Sequence, residues 1–235
     1  MIHNLFRTRA YLVYTTAILC SFSVASAANA TVILSFGQSI DGDTVSATTN
    51  TGDTQTTITG TDVPVTITQY LAGGAPIDAF LDFMLISDGS ANIVSGQILQ
   101  SYGGSFSFTS LSGDSGINYL SSVFTDFVFG INGGSSLTLN SSEPPGQVAF
   151  TSSILDTSEL DTPRALSLAF ADVTPPGVIV GQTLAGFTSS VSGTVSATIP
   201  VPEPASTVLL GVGLATLGLI GRRRGSKAQL DRPQV

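Results

Sequence analysis

The stretch Leu184–Ile199, LAGFTSSVSGTVSATI, decides the fold class of this 235-residue chain. From Phe187 its large apolar side chains return at Val191, Val195 and Ile199, and the positions between them carry mainly Ser and Thr. Residues two or four apart share one face of a β-strand, because successive side chains point to opposite sides. The stretch therefore predicts a strand with one buried face and one solvated face.

The same alternation extends through most of the central region. In Ala165–Val173 the residues Leu166, Leu168 and Phe170 fall on one face. Other runs are rich in Thr, Val, Ile and Phe, which favour pleated strands. We predict strands at Val32–Ile40, Val63–Tyr70, Ser105–Thr109, Ser122–Phe129, Ser136–Asn140 and Gln147–Ser152.

Turn-forming residues separate these runs. The predicted turns are Asp41-Gly42, Thr51-Gly52-Asp53, Gly73-Gly74, Asp88-Gly89, Gly103-Gly104, Gly133-Gly134 and Pro175-Pro176-Gly177. Pro76–Ile86 fits either a helix or a strand, and the alternation of Ala79, Leu81 and Phe83 favours the strand. Many strands without a long amphipathic helix predict an all-β fold, an antiparallel β-sandwich, for residues 31–200.

The N-terminus has the features of an export signal. Arg7 and Arg9 precede the apolar stretch Ala10–Val24, and two A-x-A triplets follow, which end at Ala27 and Ala30. This order predicts a signal peptide that signal peptidase removes, and cleavage after Ala27 or after Ala30 fits equally well. An uncleaved membrane anchor is the alternative interpretation.

The C-terminus combines three parts in a fixed order. Pro202-Glu203-Pro204 is followed by the apolar run Ala205–Gly221 and then by Arg222, Arg223 and Arg224. The prolines favour extended backbone around Glu203, the form in which proteases bind their substrates. As a helix the apolar run would span roughly 25 Å, slightly less than the ~30 Å hydrocarbon core of a bilayer. We expect a single short transmembrane helix, with the arginines stopping transfer on the cytoplasmic side.

This order of parts resembles the PEP-CTERM sorting signal of Gram-negative bacteria that make exopolysaccharide. The resemblance implies that a membrane-embedded cysteine transpeptidase, an exosortase, recognises Pro202, Glu203 and Pro204 and cleaves in or near them. The predicted parts are a signal peptide at 1–30, a β-rich ectodomain at 31–200, the sorting signal at 201–224 and a cytoplasmic tail at 225–235. We expect export across the inner membrane, transient anchoring, and delivery to the cell surface or the extracellular matrix.

The composition of residues 31–200 excludes several kinds of chemistry. They contain fourteen Asp and Glu, a single base, Arg164, and no Cys, His, Lys or Trp. Zinc sites of the usual ligands, histidine-assisted serine catalysis and cysteine nucleophiles are therefore excluded, as are disulfides. So acidic a surface repels nucleic acid, and we expect no nucleic-acid partner.

Two sets of carboxylates are candidate sites. Asp41, Asp43 and Asp53 offer the oxygen ligands that calcium prefers, but they lack a complete calcium-loop pattern, and ordinary turn roles are the alternative. Asp78 and Asp82 offer the two carboxylates of a glycosidase, although solvated acidic positions are the simpler interpretation.

These observations favour a secreted, non-enzymatic protein of the cell surface or the exopolysaccharide matrix, without a cofactor. A calcium-assisted polysaccharide-binding or adhesin module is the alternative, and a carboxylate-only glycoside hydrolase is the least favoured hypothesis. The expected partners are an exosortase, signal peptidase and exopolysaccharide, and contact with the membrane is expected to be transient.

Overall fold

The computed structural model of the chain describes residues 30–199 and Gly213. Within residues 30–199 the chain forms thirteen strands and one short 3-10 helix, Thr157–Glu159. The strands are β1 (Ala30–Gln38), β2 (Val45–Thr49), β3 (Thr56–Tyr70), β4 (Ile77–Ser87), β5 (Asn92–Val94), β6 (Gln97–Leu111), β7 (Ser115–Ile131), β8 (Ser136–Glu143), β9 (Gln147–Thr151), β10 (Asp161–Thr174), β11 (Ile179–Val180), β12 (Thr183–Leu184) and β13 (Phe187–Thr198).

Eight of these strands form one closed sheet. Neighbours pair antiparallel in the order β6-β4-β3-β1-β13-β10-β8-β7, and β6 also pairs with β7, which joins the two ends of the order. The short strands β2, β5 and β9 extend this sheet locally, and β11 pairs only with β12. The prediction of an antiparallel all-β fold is confirmed. The two separate sheets of a sandwich are replaced by one continuous ring of strands.

The apolar core lies inside this ring. The predicted inward face of β10, which includes Leu166 and Phe170, is buried. Phe170 faces Phe83 of β4 with ring centroids 6.2 Å apart, and Phe36 of β1 contacts Phe108 of β6 at 4.7 Å. Neither pair lies on neighbouring strands, so opposite walls of the ring pack against each other, as the two layers of a sandwich would.

The ambiguous segment Pro76–Ile86 forms strand β4. Its alternate residues, from Ala79 to Leu85, are buried, whereas Met84 and Ile86 face outward and are partly exposed. A helix would have turned a wider stripe of apolar residues inward. The period of two therefore decided the structure of this segment.

The turn predicted at Gly103-Gly104 is wrong. Both glycines lie inside β6, which pairs with β4 on one side and with β7 on the other. A Cβ on Gly104 would lie 2.5 Å from the carbonyl oxygen of Met84 and 2.8 Å from Cδ2 of Leu85. Close approach of β4, and not turn geometry, explains this glycine. The strand predicted at Ser105–Thr109 is therefore the C-terminal half of a longer strand.

A single base bridges a gap in the ring of strands. After β8 the chain loops out, and β9 then replaces β8 beside β7 without joining the ladder of β10. Arg164, at the start of β10, donates to the carbonyl oxygen of Val148 in β9 at 3.1 Å and to that of Leu160 at 3.0 and 2.6 Å. It also pairs with Glu143 of β8 at 3.5 Å. The guanidinium thus connects β10 to β9, with which β10 shares no backbone ladder, and adds an ion pair to the ladder between β10 and β8.

The two ends of the described domain lie side by side. Ala30, the first residue of β1, pairs with Thr198, the last residue of β13. Since these strands are antiparallel neighbours, the chain enters and leaves the ring at the same end. The chain from Thr198 to Pro202 can span at most about 14 Å.

A buried hydrogen-bond network attaches the β11–β12 hairpin to the ring. The side chain of Gln100 in β6 is 1% exposed. Its Nε2 donates to the carbonyl oxygen of Gly89 at 2.9 Å and to the hydroxyl of Thr183 at 2.8 Å. Its Oε1 accepts from the hydroxyl of Tyr102 at 3.2 Å and from the backbone N–H of Leu184 at 3.0 Å. One amide therefore satisfies polar groups from three separate segments of the chain.

We expect the substitution Gln100→Leu to lower the free energy of unfolding by about 3 kcal/mol, because it leaves several buried donors and acceptors without partners. Urea denaturation of the exported protein measures this loss. Gln97→Leu is the matched control, since Gln97 lies on the same strand but is exposed, and its effect should stay within about 0.5 kcal/mol. Equal losses for the two variants would contradict the role assigned to the network.

Candidate functional site

Most residues of the predicted sorting and cleavage signals lie outside the described residues. These are Ala27, Pro202, Glu203, Pro204, Arg222, Arg223 and Arg224. Ala30, the second predicted cleavage position, begins β1 and is exposed. The predicted span Ala205–Gly221 also lies outside them, apart from Gly213. Among the residues described, no helix combines the length and the apolar character needed to cross a membrane.

The three aspartates considered for calcium lie in two loops. Asp41 and Asp43 are exposed between β1 and β2, and Oδ2 of Asp43 accepts a hydrogen bond from the hydroxyl of Thr188 at 2.6 Å. Asp53 lies between β2 and β3, where its carbonyl oxygen accepts from the backbone N–H of Gln182 at 2.8 Å. Among the side chains that the structure describes, no group of three or more His, Cys, Asp or Glu could hold a metal ion. The structure therefore does not bring these three aspartates together, and calcium binding stays a hypothesis.

Asp78 and Asp82 both face outward on β4. Four residues of extended strand place their backbones about 13 Å apart. The two carboxylates of a glycosidase stand roughly 5–9.5 Å apart, on either side of the bond they cleave. This pair therefore does not supply the arrangement that the glycosidase hypothesis needs.

A line of small side chains forms the floor of a recess on the outer face of the sheet. The outward positions in the middle of β6 are Ser101, Gly103, Ser105 and Ser107, and β6 is paired on both sides there. Because none of these residues is larger than serine, the outer surface is low along this strand. We call this line and its two walls the β6 trough.

Beside Ser105 the walls of the β6 trough are apolar side chains of the neighbouring strands, whereas beside Ser107 they are Asp82 and Ser121. On β4, Met84 is 49% exposed and lies directly across from Ser105. On the other side Val123 of β7 is 66% exposed and pairs with the same serine. The recess over this part has a volume of about 510 Å³, and a second recess of about 270 Å³ lies beside Ser101 and Phe127. The trough thus combines hydroxyl groups on its floor with apolar side chains on both sides of Ser105.

Three aspartates meet at one end of the β6 trough. A β-bulge in β3 places two residues, Thr61 and Asp62, opposite Asp82 of β4, and Asp62 has a positive φ of 50°. The backbone N–H of Asp62 donates to Oδ1 of Asp82 at 2.9 Å, and Oδ1 of Asp62 accepts from the N–H of Gly113 at 2.5 Å. In the same β6–β7 turn, Asp114 accepts from the hydroxyl of Ser107 at 2.5 Å.

The environment of Asp82 disfavours its ionised form. Burial is the largest cause and raises the pKa of its carboxyl group above the ordinary value of 3.8. The N–H of Asp62 acts in the opposite direction, while the charges of Asp62 and Asp114 raise the pKa further. Oδ2 of Asp82 is buried and accepts no hydrogen bond from the described residues. The carboxylate therefore lines the trough without a cation to compensate it.

Comparison with known proteins identifies a feature at the C-terminus of the chain. A family model described as the PEP-CTERM protein-sorting motif matches residues 200–224. This chain carries a PEP-CTERM sorting motif. The resemblance predicted from Pro202-Glu203-Pro204 and the arginines is thereby confirmed. No curated protein and no solved structure matches the chain.

The PEP-CTERM motif fixes the general route of the protein. It marks an exported protein that is sorted to the cell surface, with an exosortase as the partner that recognises the motif. The matched residues form a small part of the chain and lie outside the β-ring of residues 30–199. The PEP-CTERM motif therefore assigns no role to the β6 trough.

The aspartate group was not predicted from the sequence. Asp62, Asp82 and Asp114 lie far apart along the chain, and the bulge in β3 and the β6–β7 register bring them together. The floor of the trough did leave a signal, since Ser101, Gly103, Ser105 and Ser107 are small residues at a period of two. The pair Gly103-Gly104 has the composition of a turn, which interrupts that period.

We expect calcium to have no selective effect on stability, because Asp43 already has a hydrogen-bond partner and Asp53 lies in another loop. Millimolar calcium chloride and magnesium chloride should change the melting temperature of the exported protein equally, at matched ionic strength. A ligand that binds only the folded state would raise the melting temperature by mass action. A calcium-specific rise that Asp43→Asn abolishes would support the calcium hypothesis instead.

We expect Asp82→Asn to raise the melting temperature at pH 7. Above its raised pKa, the carboxyl group of Asp82 in the wild type is ionised in an environment that disfavours the charge. This ionisation lowers the free energy of unfolding. Below about pH 3.8 the group is protonated in both the folded and the unfolded state, so this cost disappears. The gain should therefore shrink as the pH falls towards 3.8, and thermal denaturation across this range measures it.

Asp78→Asn is the control for this prediction, because it makes the same charge change at an exposed position of the same strand. It should give a smaller gain at pH 7. If Asp82→Asn proved less stable than the wild type at pH 7, the hydrogen bond from Asp62 to the carboxylate would outweigh the cost of ionisation, and the prediction would be wrong.

Proposed function

We propose that the chain is a secreted, non-enzymatic protein of the cell surface or the exopolysaccharide matrix, processed at its C-terminus by an exosortase. The match of residues 200–224 to the PEP-CTERM motif is the observation that carries this proposal. The non-enzymatic part rests on composition, since residues 31–200 lack the Cys, His and Lys side chains used for nucleophilic catalysis. The wide separation of Asp78 and Asp82 is consistent with it.

The proposed route includes a transient membrane intermediate. The apolar run Ala205–Gly221 is short and contains four glycines, which favours a segment held briefly over a permanent anchor. The arginines at 222–224 oppose its complete translocation, because each costs about 2.5–3.5 kcal/mol at the bilayer centre. Signal peptidase and exosortase then act on segments that join the same end of the β-ring, since Ala30 pairs with Thr198.

A polysaccharide-binding role is the second candidate function. The observation that favours it is the β6 trough, where hydroxyl groups lie between apolar walls. Sugars present both hydroxyl groups and apolar C–H faces, so such a surface offers partners for each. Calcium is not part of this candidate, because the described carboxylates form no metal-binding group.

Processing of the tail tests the principal proposal. In a host that carries an exosortase, we expect the wild-type protein to lose Ala205–Val235, which intact mass spectrometry of the recovered protein detects. Glu203→Ala should keep the protein uncut in the membrane fraction, because the extended segment would no longer present its carboxylate. Replacing Arg222, Arg223 and Arg224 with Ser should let uncut protein escape outward.

Asp231→Ala is the matched control, since it also removes one carboxylate from the C-terminal region but lies beyond the arginines. It should be processed like the wild type. A wild-type protein that retains its complete tail in such a host would overturn the processing proposal and leave the tail as an ordinary anchor.

A further inference from the structure

We propose that the β6 trough binds a polysaccharide segment that carries free amino groups. This inference rests on the proposed function and adds to it the site and the chemical class of the ligand.

The shape of the trough suits an extended chain. From Ser101 to Ser107 the floor runs about 20 Å along β6. Hydroxyl groups stand on this floor at Ser101, Ser105 and Ser107, of which the last donates to Asp114. Met84 and Val123 stand on either side of Ser105. Sugar rings lying along this line would meet hydroxyl groups below them and apolar side chains at their edges.

The charges around the trough select the class of polysaccharide. Asp82 and Asp114 line the larger recess, and Asp88 lines the smaller one. Arg164 is the only base in residues 31–200, and its guanidinium is engaged by Val148, Leu160 and Glu143. An anionic polysaccharide would therefore meet repulsion and find no compensating base. An ammonium group would instead find carboxylates that have no cation of their own.

The backbone of the floor favours a polysaccharide over a peptide. Peptides commonly bind sheets by adding a strand to an open edge, where unpaired N–H and C=O groups are available. Around Ser105 the strand β6 is paired with β4 on one side and β7 on the other, so its backbone offers no such edge. Binding must then use side chains alone, which suits a ligand whose own recognition groups are hydroxyl and amino groups.

Isothermal titration calorimetry of the exported protein with short glucosamine oligomers tests the proposal. We expect glucosamine oligomers to bind more tightly than N-acetylglucosamine oligomers of the same length, and uronic acid oligomers not to bind. Asp82→Asn should weaken the binding of glucosamine oligomers about tenfold or more, as expected for loss of the negative charge that lines the recess. Asp78→Asn, the same charge change outside the trough, should weaken it less than about twofold.

Gly103 lies on β6 between the residues that line the two recesses, so enlarging its side chain provides a second, steric test. A Cβ added to Gly103 would meet its nearest neighbour, Cγ2 of Thr125, at 3.8 Å, which is an ordinary contact. Gly103→Val should therefore fold, and its β-branched side chain suits a strand. We expect this variant to lose binding of both glucosamine and N-acetylglucosamine oligomers while its melting temperature is maintained.

Several results would overturn the proposal. If Asp82→Asn and Asp78→Asn weakened the binding of glucosamine oligomers equally, the oligomers would be attracted by the overall negative charge of the protein and not by the trough. Full binding by Gly103→Val would place the ligand elsewhere. Tighter binding of N-acetylated or uronic acid oligomers would refute the assigned class. A lysine oligomer that binds as tightly as the glucosamine oligomer, with the same loss in Gly103→Val, would make the site a peptide site.

Failure of this inference can be told apart from failure of the proposed sorting. Asp82→Asn and Gly103→Val should leave removal of the tail unchanged, as followed by intact mass. Absent binding together with normal processing would refute only the trough proposal. Normal binding by a protein that keeps its tail would refute only the processing proposal.

Discussion

The ladder between β6 and β7 joins the two ends of the strand order, and the remaining structure depends on it. Residues 31–200 contain no cysteine, and their single base bridges one gap, so covalent or ionic crosslinks contribute little. Closing the sheet gives β6 and β7 partners on both sides and removes the two long edges that an open sheet would expose. The same ladder forms the floor of the β6 trough and carries the turn with Asp114.

The alternation of side chains predicted the local structure well. Leu166, Leu168 and Phe170 are buried, and the strand chosen for Pro76–Ile86 is confirmed, because each depends only on residues close in sequence. Closure of the ring could not be predicted in this way. It depends on the long-range pairing of β1 with β13, which joins Ala30 to Thr198. The pair Gly103-Gly104 also has the local composition of a turn, although it lies within a paired strand. The close approach of β4 explains the glycine at position 104, and a single sequence does not reveal this approach.

The difference between local and long-range determinants also separates the sorting motif from the aspartate group. The sorting motif is read from consecutive residues, so Pro202-Glu203-Pro204, the apolar run and the arginines were sufficient to predict the match found at 200–224. The aspartate group needs a bulge at Asp62 and a turn at Asp114 to reach Asp82. Bulges insert one residue and shift which side chains meet, so a pattern with a strict period of two cannot anticipate them.

The positions of the chain ends relate the fold to the sorting motif. Because Ala30 pairs with Thr198, the N-terminal strand must be in place before the last strand has its full set of partners. Thr198 is also the last strand residue before the motif, and the segment up to Pro202 reaches at most about 14 Å. An enzyme that binds Glu203 in extended form must therefore work close to the folded ring. Fraying of the end of β13 from both of its neighbours, β1 and β10, would lengthen this segment, so the stability of these two ladders sets how much free chain the enzyme encounters.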